Sequence, residues 1–225
     1  MGEAGDPISD AAWAFNFRRV EPTSDAPTAL VVLLHGADGD ELQWAGLACE
    51  LDRNTLAVLP RGPRSIAGER IGWFREGFDD GAPQANIEEL DDSLRKLAEF
   101  IAQLQERHAV APGDTWLVGF SQGGELAAAL ALTRPACIAG WAMVSARLVP
   151  ELESTYAAPE ALAHLRALLV HGRDDAVLPI EWLHRTQTAL TGRAVTHLSV
   201  EVDGAHALDE AMVDAVRAWL RRDAA

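Results

Sequence analysis

Lysine is almost absent from this chain: Lys96 is the only one in 225 residues, so arginine carries nearly all the positive charge. Acidic side chains outnumber basic ones, and the formal net charge is −15. A field of that sign repels phosphate backbones and anionic lipid surfaces. It excludes nucleic acid as a natural partner and argues against stable membrane association. Cysteine is scarce too. Cys49 and Cys137 have neither a disulfide-framework spacing nor zinc-type neighbours, and they read as reduced, packed thiols. No window approaches eighteen uninterrupted apolar residues, so no spanning helix is expected. Residues 1–7 are acidic and carry no signal-peptide pattern, which makes the cytoplasm the expected address. Internal repeats, low-complexity tracts and linker-like stretches are missing as well. The expectation is one domain over 1–225, with its core at about 13–221.

The residues that are present suit a large α/β unit. Hydrophobic side chains make up 48% of the chain, enough to cover a central sheet on both faces. Strand-like runs at 13–20, 30–35, 55–60, 115–121, 140–145, 168–171 and 196–202 alternate with helical runs at 41–51, 87–107, 122–133, 180–190 and 209–221. That alternation predicts a mainly parallel sheet with crossover helices on both faces. Positions 30–34 read Leu-Val-Val-Leu-Leu, a strand buried on both sides. In the second helical run Ile87, Leu90, Leu94, Leu97, Ile101 and Leu104 form one apolar stripe. Asp209 offers an N-cap to the last helix. The connection 146–167 holds one short helix and is too small for a cap domain.

Chemistry enters at Gly119-Phe120-Ser121-Gln122-Gly123-Gly124, between an expected strand and an expected helix. This is G-x-S-x-G in its meaningful context, a sharp turn that holds a serine above the sheet. Bulky side chains two residues either side would collide there, hence Gly119 and Gly123. Serine needs a base, because its hydroxyl is a weak nucleophile near neutral pH. Of seven histidines, His184 rides a helix and His197 a strand, while His35 and His171 each precede a glycine at a strand end, where an imidazole fastens a turn. His206 differs, lying just after the last strand in Asp203-Gly204-Ala205-His206. The acid that orients it comes from the run 171–179, which offers Asp174 and Asp175; periodicity does not choose between them, and one of the two is expected to cap a turn. The order Ser–Asp–His is that of α/β hydrolases. Oxyanion donors are expected at the backbone N–H of Gln122 and of Ala37. A phosphate-binding reading of the glycines fails, since neither G-x-G-x-x-G nor a P-loop lysine is present. Trp44 and Trp73 are candidate pocket walls or plain core, with the balance open. Leu148, Val149 and Leu152 are candidates for an acyl groove.

Together these residues resemble the phospholipase/carboxylesterase family of α/β hydrolases, which includes acyl-protein thioesterases and small bacterial carboxylesterases. The resemblance covers about 30–220. Gly-Phe-Ser-Gln-Gly-Gly at 119–124 is its most specific element, joined by Leu-His-Gly at 34–36, Trp73-Phe74, His171-Gly172 with Asp175 and Pro179, and Gly204 with His206. It implies an α/β-hydrolase fold without a large cap, Ser121 as nucleophile, His206 as base and Asp175 as acid. It also implies an oxyanion hole from the amides of Ala37 and Gln122. Members act on short acyl esters, some on lysophospholipids or thioesters. The implied activity is therefore a serine carboxylesterase working through an acyl-enzyme on a small-molecule ester, with thioesterase or lysophospholipase as the alternative. The full set of three residues argues against a binding protein without turnover. No metal or organic cofactor is called for, and a homodimer is left open. One departure stands out: Asp38 occupies a position where many relatives have glycine; aspartate tolerates unusual backbone angles less well than glycine, though better than most residues, and it adds negative charge near the site.

Overall fold

The apolar run at 30–34 becomes β2 (Ala29–Leu34), every residue of it buried. In the computed structural model, which describes residues 3–23, 26–67, 70–79 and 82–223, it lies third in a seven-stranded sheet. The order is β1 (Phe17–Val20), β3 (Thr55–Pro60), β2, β8 (Thr115–Phe120), β9 (Gly140–Val144), β10 (Arg166–Gly172) and β11 (Thr196–Val202). All neighbours pair in parallel except β1, which runs antiparallel to β3 at the edge. Side chains alternate across the sheet. Leu30, Val32 and Leu34 join one core with the helices α2 (Ile87–His108), α3 (Gln122–Thr133) and α5 (Glu181–Gly192), which cover that face. Val31 and Leu33 join a second core on the opposite face, covered by α1 (Ala45–Glu50) and α6 (Glu210–Asp223). Each aliphatic side chain buried in this way contributes about 1.5–3 kcal/mol.

Local signals account for most boundaries. Asn86 caps α2 by accepting the Glu89 N–H at 3.1 Å, and Leu90, Leu94, Leu97, Ile101 and Leu104 of the stripe are buried. Ile87, in the first turn, remains exposed. Asp209 caps α6 through the Met212 N–H at 2.9 Å, as expected. Other boundaries moved. The first expected strand shortens to β1, because residues 11–15 fold as turns and bends. The expected helix at 41–51 shortens to α1. The connection 146–167 holds two short pieces rather than one, a 3₁₀ turn at Pro150–Thr155 and a single helical turn α4 at Pro159–Leu162. No strand was expected between 61 and 86, yet two hairpins stand there: β4 (Arg64–Ala67) with β5 (Arg70–Gly72), and β6 (Glu76–Asp79) with β7 (Ala82–Ala85). Among the described residues no helix is long and apolar enough to cross a membrane.

Candidate active site

In a parallel sheet the loops after the strand C-termini converge, and four such loops build the site. The first is the turn from β8 into α3. Ser121 adopts φ 50° and ψ −121°, a region that costs a non-glycine residue about 1–3 kcal/mol. Close packing enforces it. A Cβ on Gly119 would lie 2.2 Å from the carbonyl of Gly123, and one on Gly123 would lie 2.5 Å from the carbonyl oxygens of Leu34 and His35. Only glycine permits those approaches. The turn is pinned by the Ser121 N–H donating to Val144 O at 2.8 Å.

The loop after β11 carries His206, whose Nε2 stands 3.0 Å from Ser121 Oγ. The loop after β10 carries Asp175, whose Oδ2 lies 2.7 Å from His206 Nδ1. These two loops are tied by the Asp174 N–H donating to Gly204 O at 2.9 Å. The structure thereby separates the two aspartates. Asp174 is exposed, whereas the Asp175 side chain is fully buried. Asp175 also does both jobs that had been divided between them. Its Oδ1 accepts the N–H groups of Val177 at 3.0 Å and Leu178 at 2.8 Å, closing the turn, while Oδ2 faces the imidazole. Burial pushes the Asp175 carboxyl up, but the His206 ring and the Leu178 N–H outweigh burial and hold it below the usual carboxylate value. An ionised carboxylate only accepts, so His206 Nδ1 carries the proton and Nε2 presents its lone pair to the serine. Phe120 supports the ring, its centroid 5.3 Å from that of His206.

The fourth loop follows β2. A Cβ on Gly36 would sit 3.3 Å from Ser121 Cβ, so this loop lies directly against the serine. The Gly36 N–H donates to Gln43 Oε1 at 2.8 Å, that of Asp38 to Ile71 O at 3.1 Å, and that of Gly39 to Gly36 O at 3.1 Å. Among the described residues the Ala37 N–H finds no acceptor, and neither does the Gln122 N–H in the first turn of α3. Two unspent donors thus flank the serine, one at a helix N-terminus. Asp38 takes φ 68°, a left-handed conformation in which glycine would be at ease. Its carboxylate is paired in two-pronged fashion with Arg70, so little net charge reaches the site.

His35 and His171 fasten turns as expected. His35 Nε2 accepts the Gly62 N–H at 2.8 Å, which leaves Nδ1–H to donate to Gly36 O at 2.7 Å. His171 Nε2–H donates to Leu178 O at 2.7 Å, steadying the turn that holds Asp175. Burial lowers both imidazoles below their ordinary value, and they stand neutral. A depressed imidazole contributes stability that is present above the unfolded pKa of about 6.5 and lost as pH falls towards the folded value. The melting-temperature gap between the wild type and His35→Asn should therefore narrow when the buffer is changed from pH 7.5 to pH 5. A gap that widened in acid would contradict a neutral His35.

The pocket candidates need correction. Trp44 is 2% exposed, belongs to the core on the α6 face, and donates its indole N–H to Leu34 O at 3.0 Å. Trp73 is 0% exposed and donates to His35 O at 2.8 Å. Both are core residues that brace the chain at Leu34 and His35, with almost no exposed surface to offer a substrate. Val149 and Leu152 are likewise buried in the core. Leu148 alone faces a cavity, of about 270 Å³, shared with Tyr156 and Trp182. Sequence reasoning missed the side chain of Gln122, which accepts the Trp73 N–H at 2.7 Å and donates to Phe74 O at 2.8 Å. It also missed a buried charge cluster behind the turn, Glu125 and Arg147. The signal was available: Glu125 is the one charged residue in α3 and directly precedes an unbroken apolar run at 126–132. Both cysteines are free. Among the described residues no group of three or more His, Cys, Asp or Glu is arranged to hold a metal ion.

Comparison with known proteins bears on the whole assembly. A family model described as Phospholipase/Carboxylesterase matches residues 16–223. An acyl-protein thioesterase 1 of Mycosarcoma maydis is 26% identical over 178 residues, covering 71% of this chain and 74% of the relative. Among solved structures, esterase PE8 superposes with a TM-score of 0.77 at 25% identity, covering 91% of this chain and 96% of its own. The carboxylesterase of Bacillus cereus reaches a TM-score of 0.80 at 18% identity, with 93% and 94% covered, a likeness of fold.

Proposed function

The chain belongs to the phospholipase/carboxylesterase family and is a serine hydrolase; from that premise we propose that it hydrolyses short- to medium-chain carboxylic esters through Ser121, His206 and Asp175. The observation that carries this reading is the relay from Asp175 through His206 to a strained serine, 2.7 Å and then 3.0 Å. Ser121 Oγ attacks the acyl carbon as His206 Nε2 takes its proton. The carbonyl oxygen, now negative, accepts the N–H groups of Ala37 and Gln122. The tetrahedral adduct collapses, the alcohol leaves with the proton from His206, and an acyl-serine remains. Water then repeats the sequence, giving its proton to His206 and releasing the acid. Donors preorganised for the oxyanion are each worth about 10²–10³ in kcat. Asp175 keeps Nε2 basic and stabilises the imidazolium. Rapid labelling of Ser121 by a fluorophosphonate, blocked by prior denaturation, tests the activated serine directly.

Acyl length follows from the lack of a cap: only the 3₁₀ turn at Pro150–Thr155 and the single turn α4 stand between β9 and β10. The net charge of −15 disfavours docking on anionic lipid. Along a series of p-nitrophenyl esters, kcat/KM should peak at acetate to octanoate, with no rate jump where substrate exceeds its solubility. A maximum at twelve carbons or more would reject this reading.

A second reading is an acyl thioesterase, favoured by the activity in the name of the curated relative. The same relay serves any activated acyl group. Matched butyryl esters and thioesters separate the two: the preferred leaving group is the one with the higher kcat/KM.

A further inference from the structure

Behind the serine turn lies a set of charges that stability does not explain. Arg147, just past the end of β9, has a fully buried side chain. Its Nε lies 3.1 Å from Oε1 of Glu125, itself one turn beyond Ser121 on α3 and 3% exposed at the side chain. Its Nη2 lies 3.7 Å from Oε1 of Glu76 on β6. None of the three guanidinium nitrogens makes a well-directed hydrogen bond, and the cation rests instead over the ring of Trp182, 5.4 Å from its centroid. Burial, and next the neighbouring Glu76 charge, hold the Glu125 carboxyl well above its ordinary range. An ion cluster taken out of water with such incomplete hydrogen bonding is a poor source of folding free energy, because desolvation offsets the Coulombic gain.

The cluster is connected to the reaction through one side chain. Glu76 Oε2 accepts from Gln122 Nε2 at 3.2 Å, and that same nitrogen donates to Phe74 O at 2.8 Å while Oε1 accepts the Trp73 N–H at 2.7 Å. Gln122 is thus pinned at both ends of its amide, and its backbone N–H is one of the two unspent donors beside Ser121. We infer that Glu76, anchored by the Arg147–Glu125 pair, is a positioning residue that fixes Gln122 so that its backbone N–H is aimed at the developing oxyanion. The direction of a donor matters more in the transition state than in the ground state, so the device acts on kcat rather than on substrate binding. Glu76 sits on the hairpin β6–β7, which makes this hairpin part of the site's support.

The inference rests on the proposed esterase reading, and the experiment separates the two. A trifluoromethyl ketone forms a hemiketal with an activated serine and places its oxygen where the oxyanion would stand. If the wild-type protein neither binds this ketone nor cleaves p-nitrophenyl butyrate, the esterase reading fails. If it does both, the series Glu76→Asp, Glu76→Gln and Glu76→Ala addresses Glu76 alone. The expected result for Glu76→Gln is a fall in kcat of about tenfold, KM within twofold of wild type, and a ketone Ki raised by about the same factor as kcat falls. Across the series, log Ki plotted against log kcat/KM should have a slope near −1. In a Gln122→Met background Glu76→Gln should lose less than a further twofold, because the path through the amide is already cut. Losses that multiply in the double variant, a KM effect without a kcat effect, or no effect in any variant would each overturn the positioning role. If Gln122→Met does not fold, the slope decides by itself, and a slope near zero rejects the inference.

Discussion

Replacing Ser121 by alanine is expected to lower kcat for ester hydrolysis by about a millionfold, the size of loss seen when the nucleophile of a serine hydrolase is removed. The fold should be unaffected, for reasons visible at the turn. Alanine keeps a Cβ, so the positive φ of 50° and its strain are the same in both proteins. The Ser121 N–H still donates to Val144 O, and the Glu125 N–H still donates to the carbonyl of residue 121. The only bond lost is that from Oγ to His206, whose imidazole is 16% exposed and can turn to water. The melting temperature should therefore stay within about 2 °C of wild type, roughly the shift that half a kcal/mol or so produces at this size. Residual activity, about 10³–10⁴ over water, would come from the amides of Ala37 and Gln122 and from substrate binding. Measuring kcat together with the thermal melt checks both halves. A variant with a tenth of the wild-type rate would remove Ser121 from the nucleophile's place.

The same turn shows why part of the site was legible in the sequence. Gly119 is demanded by the backbone of Gly123 and Gly124 within the motif itself, at 2.2–2.4 Å, so a local motif carries that geometry, while Gly123 is demanded from outside it by the carbonyl oxygens of Leu34 and His35. β2 was legible for a similar reason, since a strand covered by two cores has apolar residues at every position. The two hairpins between β3 and α2 left no such trace. Their strands are three or four residues long and interrupt their few apolar side chains with charged residues, glycine, proline or glutamine, so neither a period of two nor an apolar run stands out. Trp44 and Trp73 were ambiguous because an indole serves a wall or a core equally well. What settles them is an acceptor for each N–H, at Leu34 O and His35 O, inside the fold. Arg147 was illegible by its type, since arginine is seldom fully buried without a well-formed partner.

The aspartate pair was the sharpest ambiguity, and it supports the second large prediction. Asp175→Asn should lower kcat by about three to four orders of magnitude, through the tautomer of His206 rather than through its position. The asparagine would still offer an oxygen to the N–H groups of Val177 and Leu178, so the turn keeps its shape. Its NH₂ would then face His206 Nδ1, which lies 2.7 Å from the carboxylate in the wild type, and a donor there forces Nδ1 to accept. The ring proton moves to Nε2, which points at Ser121 Oγ and can no longer take the serine's proton. The imidazolium formed during the reaction also loses its counter-charge. KM should change little, because nothing in this exchange touches the acyl group. Asp174 provides the control. Its carboxylate is exposed, and its contribution to the loop is a backbone N–H donated to Gly204 O, which substitution of the side chain leaves in place. Asp174→Asn should stay within about twofold of wild-type kcat, as expected for a surface change away from any packed feature. Steady-state rates for the two variants at pH 8 decide it, and a larger loss at Asp174 than at Asp175 would overturn the assignment of the acid.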